Sequence, residues 1–222
     1  MTPGRSACGI RIALLGAEST GKTRLAEDLA AHLRGRGLRA VAVPEALRAW
    51  CTRAGRAPRP EEQLAIAKAQ EQQVEDAAAA GAELVVADTT ALMVLAYSGM
   101  LFEGDPLRRF ALERQRGYDA TLVTGLDLPW TPDGLLRDAA QPREPVDALV
   151  RTLLQRAGVA FQVVYGSGPR RLAGALAALA GILPCEAVDR VQRESKTASW
   201  TWSCEKCSDP ECEHLLFSRL RS

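Results

Sequence analysis

The segment Gly16-Ala17-Glu18-Ser19-Thr20-Gly21-Lys22-Thr23 sets two residues without a Cβ, one ammonium group and one hydroxyl in Gly-x-x-x-x-Gly-Lys-Thr spacing. Each residue type has a use at its place. Gly16 and Gly21 let the backbone curl, so that the N–H groups of Ala17 to Thr23 can converge on phosphate oxygens. Lys22 adds a mobile point charge for β- and γ-phosphates, and Thr23 offers a hydroxyl to Mg²⁺. The apolar run Ile10 to Leu15 precedes the loop, and Leu25, Leu29 and Leu33 follow at i, i+4, i+8. The loop therefore joins a strand to a helix whose first N–H groups favour an anion. Strand, loop and helix together read as a site for a nucleoside triphosphate, with ATP and Mg²⁺ as expected cofactors.

Two carboxylates stand at the ends of other apolar runs. Asp88 follows Leu84-Val85-Val86-Ala87, where a carboxylate orients Mg²⁺, takes a substrate proton or caps a helix. Glu45 follows Ala40 to Val43 and Pro44, where small-molecule kinases meet their phosphate acceptor. Spacing alone does not choose between Glu45 and Asp88 as base. Arg48 lies one helical turn after Glu45, facing either the same cleft or solvent. A further segment, Asp127 to Asp138 with Arg143 after it, is too polar for core and sits between a strand and a helix. It is expected to fold over bound ATP as a lid, with Arg137 or Arg143 neutralising the transferring phosphoryl group. Trp130 would stack on a ring or anchor the lid in the core.

The elements that must position these groups alternate between strand and helix. Strands are expected at Ile10 to Leu15, Ala40 to Val43, Glu83 to Ala87, Ala120 to Thr124 and Ala160 to Tyr165. Helices are expected after the loop, at Glu61 to Ala80, Leu92 to Tyr97, Pro106 to Arg116, Pro145 to Arg156 and Pro169 to Leu183, with Arg53 to Pro60 as a loop. Continuous apolar strands between helices mean a parallel sheet covered on both faces. The expected class is α/β: a P-loop NTPase three-layer sandwich with a five-stranded parallel sheet, over residues 1–183. Ligands in such sheets sit beyond the carboxyl ends of the strands, where the loop, Glu45 and Asp88 all fall.

Residues 184–222 read as a small cysteine-rich tail. Cys204, Cys207, Cys212 and His214 form a Cys₃His set that can hold Zn²⁺ tetrahedrally. Zinc would fasten Leu215, Leu216 and Phe217 onto the main domain or a protein partner. Glu205, Asp209, Glu211 and Glu213 argue against phosphate contact there, so nucleic acid is not an expected partner. Nor does the chain's net charge of +1 suggest nucleic acid or an anionic membrane. No apolar run is long enough for a membrane span, and a cytoplasmic location is expected. The six cysteines should then be reduced or metal-bound, with Cys8, Cys51 and Cys185 ordinary small residues.

Taken in order, the loop, Glu45-x-x-Arg48, Glu62-Gln63-Leu64-Ala65 through Ala69-Gln70, Asp88-Thr89 and Leu128-Pro129-Trp130-x-x-Asp133-Gly134 resemble the ribosylnicotinamide kinase domain of the bacterial NadR type of NAD-biosynthesis protein. The resemblance covers about Ile10 to Leu183 and implies a nucleoside-kinase-like fold. It implies transfer of the ATP γ-phosphoryl to a ribosyl 5′-hydroxyl, with nicotinamide riboside the best single acceptor. It places ATP on Gly16 to Thr23, puts Glu45, Arg48 and Asp88 at the acceptor or metal, and puts Trp130 and Asp133 in the lid region. Three departures stand out: Thr90 replaces a second acidic residue, Arg137 follows Asp133 by four positions instead of three, and no stretch is expected to hold an adenylyltransferase domain. The rival expectation is a nucleotide-dependent regulatory switch whose tail binds a partner.

Overall fold

The computed structural model describes residues 9–99, 104–131 and 143–183. Five strands, β1 (Ile10–Leu15), β2 (Ala40–Val43), β3 (Leu84–Asp88), β4 (Ala120–Thr124) and β5 (Gln162–Val164), form one sheet in the order β2-β3-β1-β4-β5. Every pairing is parallel, with Leu14 opposite Asp88 and Leu15 opposite Val123. The expected five-stranded parallel sheet is thus present. The last strand is shorter than the sequence suggests, because at the sheet edge only Gln162–Val164 pairs with β4.

Seven helices are described: α1 (Lys22–Arg34), α2 (Ala46–Ala54), α3 (Pro60–Ala79), α4 (Ala91–Ser98), α5 (Pro106–Gln115), α6 (Arg143–Ala157) and α7 (Gly168–Leu179). Alternation along β1 sends Ile12 and Leu14 into a core shared with Leu25, Leu29 and Leu33 of α1 and Leu176 and Leu179 of α7. Leu15 faces the opposite core, built with Leu92 and Leu95 of α4, Ala111 of α5 and Leu153 and Leu154 of α6. The result is three layers. Helix α4 is apolar all round, and Leu92, Met93, Val94 and Leu95 are all buried. Burying each such leucine contributes about 1.5–3 kcal/mol.

Two expected boundaries shift for local reasons. Helix α2 continues past Arg53 to Ala54, where Gly55 adopts a left-handed conformation and its N–H bonds Cys51 O at 2.8 Å. Helix α7 stops at Leu179 rather than Leu183. The turn between α2 and α3 is clamped by Arg56, whose two terminal nitrogens each donate to a Glu62 oxygen at 2.7 Å. The Arg59 N–H donates to the same carboxylate, and the Arg56 guanidinium lies over the Trp50 ring.

Arg56 first, then the Arg59 N–H, holds the Glu62 carboxyl down to about 2 from its ordinary 4.5. A depressed folded value means that stability is present above about pH 4.5 and fades as pH falls toward 2. Glu62→Gln should therefore melt below the native protein at pH 7. That gap should close between pH 4.5 and 2, as a series of thermal melts would record. A gap that does not depend on pH would assign the effect to lost packing instead.

Candidate active site

The carboxyl ends of β1, β2, β3 and β4 meet at one edge of the sheet. The chain leaves β1 at Gly16 with φ 143°, where a Cβ would run into Thr124 Oγ1 at the end of β4. Gly21, at φ 76°, is the N-cap of α1. Between them Ser19 also takes a left-handed conformation, φ 54°. Thr20 is buried, donates from Oγ1 to Ala17 O at 2.7 Å and accepts from Thr124 Oγ1 at 2.7 Å. The loop is thus tied to both the strand before it and the strand beside it. Its concave shape ends at the unpaired first turn of α1, the geometry that receives phosphate.

Lys22, partly buried, donates from Nζ to Ala17 O at 2.8 Å. Burial pushes its ammonium below the ordinary lysine value, and the nearby Glu45 and Asp88 carboxylates pull it back up. The lysine and both carboxylates singled out in the sequence therefore share one electrostatic neighbourhood. Glu45 is buried, 9% exposed, and occupies the N-cap position of α2 without a side-chain capping bond; Arg48 Nε lies 3.4 Å from its Oε2. Asp88 is 3% exposed and accepts from Thr23 Oγ1 on Oδ2 at 2.5 Å. Its other oxygen, Oδ1, is buried with no hydrogen-bond partner. A hydroxyl against a carboxylate that keeps one buried acceptor uncommitted is a hard-oxygen donor set, and it fits Mg²⁺. Among the described residues, no cluster of three or more His, Cys, Asp or Glu side chains forms a metal site of the Zn²⁺ type.

Directly after Asp88, Thr89 sits at φ 70°, a strained position for a β-branched residue, held by its N–H bond to Leu14 O. Such a conformation costs about 1–3 kcal/mol and is found where a side chain must be aimed. Thr90 does not face the cleft. It is buried, accepts from Leu92 N–H at the start of α4, and donates to Gln115 at 2.7 Å.

Sequence reasoning gave no role to several supports of the site. Gln70 of α3 accepts from Ala46 N–H at 2.7 Å and donates to Pro44 O, which fixes the peptide on either side of Glu45. Glu71 accepts from Ala91 N–H and from Tyr118 OH, holding α4 behind Asp88; burial pushes its carboxyl up. Arg171 of α7 is 3% exposed, bonds Asp127 Oδ1 at 2.6 Å and donates to Thr20 O within the loop. The signal in the sequence was a polar side chain inside an apolar stripe: Arg171 shares its face with the buried Ala175 and Leu179.

The other predicted residues are placed as follows. Trp130 is 38% exposed and belongs to none of the core clusters, which corrects its reading as a core anchor. Beside it, Thr131 O accepts from Ser19 Oγ at 2.7 Å, so the segment after β4 touches the phosphate loop. Arg143, the first residue of α6, donates to Leu128 O. Arg137, Asp133, Cys204, Cys207, Cys212 and His214 lie outside the described residues. Next to the loop, Gly21, Arg24, Leu25, Leu128, Ser167 and Arg171 line a hollow of about 60 Å³. No described helix is long and apolar enough to cross a membrane.

Parallel sheet, covering helices and this loop define a P-loop nucleotide-binding domain. A family model described as an AAA domain matches residues 11–171, and the chain belongs to that family. Among solved structures, NadR protein in complex with NR superposes with a TM-score of 0.62 at 17% identity, over 78% of this chain and 49% of that one. NadR protein in complex with NAD and AMP-PNP gives 0.57 at 16% identity with the same coverage. Thymidylate kinase from Ehrlichia chaffeensis gives 0.50 at 13% identity, covering 87% of this chain and 100% of that one. The chain thus has the fold of P-loop small-molecule kinases, and it spans about half the length of the NadR chains, 49%. A search of curated protein sequences finds no match.

Proposed function

We propose that the protein transfers the γ-phosphoryl group of ATP to the hydroxyl of a small nucleoside-like acceptor. Nicotinamide riboside is the first acceptor to test. The observation that carries this reading is the convergence of Lys22, Glu45 and Asp88 at one sheet edge beside a phosphate-binding loop. The ordered resemblance of the motifs and the fold shared with NadR support the acceptor.

In this reading the N–H groups of Gly16 to Thr23 hold the phosphates, and Lys22 neutralises charge on the group in transit. Thr23 and Asp88 would hold Mg²⁺, which would supply positive charge to offset that of the phosphates. Asp88 already has one oxygen against Thr23, so the proton-accepting role falls to Glu45, with Arg48 holding its carboxylate in place. Little covalent chemistry remains, and most of the rate comes from positioning and charge neutralisation.

The test is ADP release from ATP and Mg²⁺ with a panel of nucleosides. Acceptor-dependent release is expected, largest with nicotinamide riboside. Glu45→Gln should lower that acceptor-dependent rate about 10²-fold without weakening ATP binding. Release that no acceptor stimulates would overturn the kinase reading. Stimulation by another nucleoside alone would keep the kinase and replace the acceptor.

A further inference from the structure

Arg171 carries a cost that needs an explanation. It lies 3% exposed on the buried stripe of α7, where a leucine would pack without desolvating a charge. Burial pushes its guanidinium below the ordinary arginine value, against the opposing effect of Asp127. Its Nε is buried without a hydrogen-bond partner. Two contacts offset this cost. Nη2 meets Asp127 Oδ1 at 2.6 Å, and Nη1 donates to the carbonyl of Thr20. The other oxygen of Asp127 accepts from Gly166 N–H at 2.5 Å, in the turn before α7. Arg171 therefore stands on a fixed base and reaches into the phosphate loop from behind.

The Thr20 carbonyl and the Gly21 N–H belong to one planar trans peptide, so they point in opposite directions. Pinning the carbonyl onto α7 turns the Gly21 N–H away from α7. A charge-assisted bond to the carbonyl also polarises the peptide and strengthens its N–H as a donor. Gly21 has no side chain to hold this peptide, and a Cβ there would press on Leu128 and on Arg171 Nη1 itself.

We propose that Arg171, oriented by Asp127, is a positioning residue that fixes the Thr20–Gly21 peptide and so presets the phosphate cradle for polyphosphate. This rests on reading the loop as a polyphosphate site, but not on the identity of the acceptor. Arg171 acts through the backbone and touches no phosphate.

The test measures binding of ATP, inorganic tripolyphosphate and adenosine to the full chain by calorimetry, beside thermal melts. Arg171→Met should weaken ATP and tripolyphosphate by the same factor, about tenfold or more, and leave adenosine unchanged. Arg171→Lys keeps a donor for Thr20 O but cannot bridge to Asp127 as well, so it should recover part of the loss. Asp127→Asn should fall between Arg171→Lys and Arg171→Met. If Arg171→Met melts below the assay temperature, the lysine and asparagine variants decide the matter. Unchanged tripolyphosphate affinity in the folded variants would overturn the proposal, as would a loss confined to ATP and adenosine. A native protein that binds neither polyphosphate would overturn the polyphosphate reading along with it.

Discussion

Lys22→Ala is expected to lower acceptor-dependent ADP release by about 10³-fold, with the fold retained. The size follows from the surroundings of Nζ. The ammonium is partly buried near two carboxylates; burial weakens its hold on a proton, and Glu45 and Asp88 offset that only in part. Removing it leaves two acidic side chains facing an incoming triphosphate with no lysine to offset them. The loss should fall on both ATP affinity and turnover, because charge on the γ-phosphoryl group is felt in the ground state and the transition state alike. The fold should survive, since the contact that disappears is a single bond to Ala17 O, and Thr20 Oγ1 still donates to that carbonyl. Lys22→Arg is the informative companion. A planar guanidinium does not replace a compact ammonium in a curled loop, so it should not restore the rate. ADP release and thermal melts together check the expectation. Turnover close to the native rate in Lys22→Ala would mean that the phosphates are held elsewhere.

The parts of this site that could be read from the sequence are those set by local pattern. Gly16, Gly21, Lys22 and Thr23 stand at fixed offsets from one another, and β1 and α1 on either side declare themselves by hydrophobic period. Asp88 was legible because it ends an uninterrupted apolar run, which is what a buried parallel strand looks like. Glu45 was legible for the same reason, at a strand stopped by Pro44. The roles of Gln70, quoted only as part of a motif, and of Glu71 and Arg171 were not, because they exist only between elements distant in sequence. Gln70 reaches back 24 residues to Ala46, and Arg171 reaches 151 residues to Thr20. Local periodicity cannot reveal such pairings. It can only flag a polar group where an apolar one is expected, and a helix stripe containing one arginine was not enough to name its partner. Thr90 shows the converse. The resemblance marks it as a departure, a threonine in place of a second acidic residue, yet the fold commits its hydroxyl to Gln115 and to the start of α4. The backbone strain at Thr89 had no sequence signal either, since threonine is a poor choice for positive φ.

Asp88→Asn separates the two carboxylates by role. Asp88 has one oxygen against the Thr23 hydroxyl and one buried oxygen with no partner. An uncommitted anionic oxygen inside a protein is costly unless a cation meets it. The asparagine keeps the size and one acceptor but loses the charge that a hard divalent ion requires. The rate at saturating acceptor should therefore fall about 10²–10³-fold, and the Mg²⁺ concentration for half-maximal rate should rise sharply. A second readout does not need turnover. Ligands that bind only the folded state raise its melting temperature, so Mg²⁺ together with ATP should stabilise the native protein. In Asp88→Asn, Mg²⁺ should add little to the stabilisation given by ATP alone. Glu45→Gln should behave in the opposite way, keeping the Mg²⁺-dependent stabilisation while losing rate. If Glu45→Gln instead abolished the Mg²⁺ response and Asp88→Asn preserved it, the two assignments would exchange. The Thr23 contact would then be a helix-start bond rather than part of a metal site.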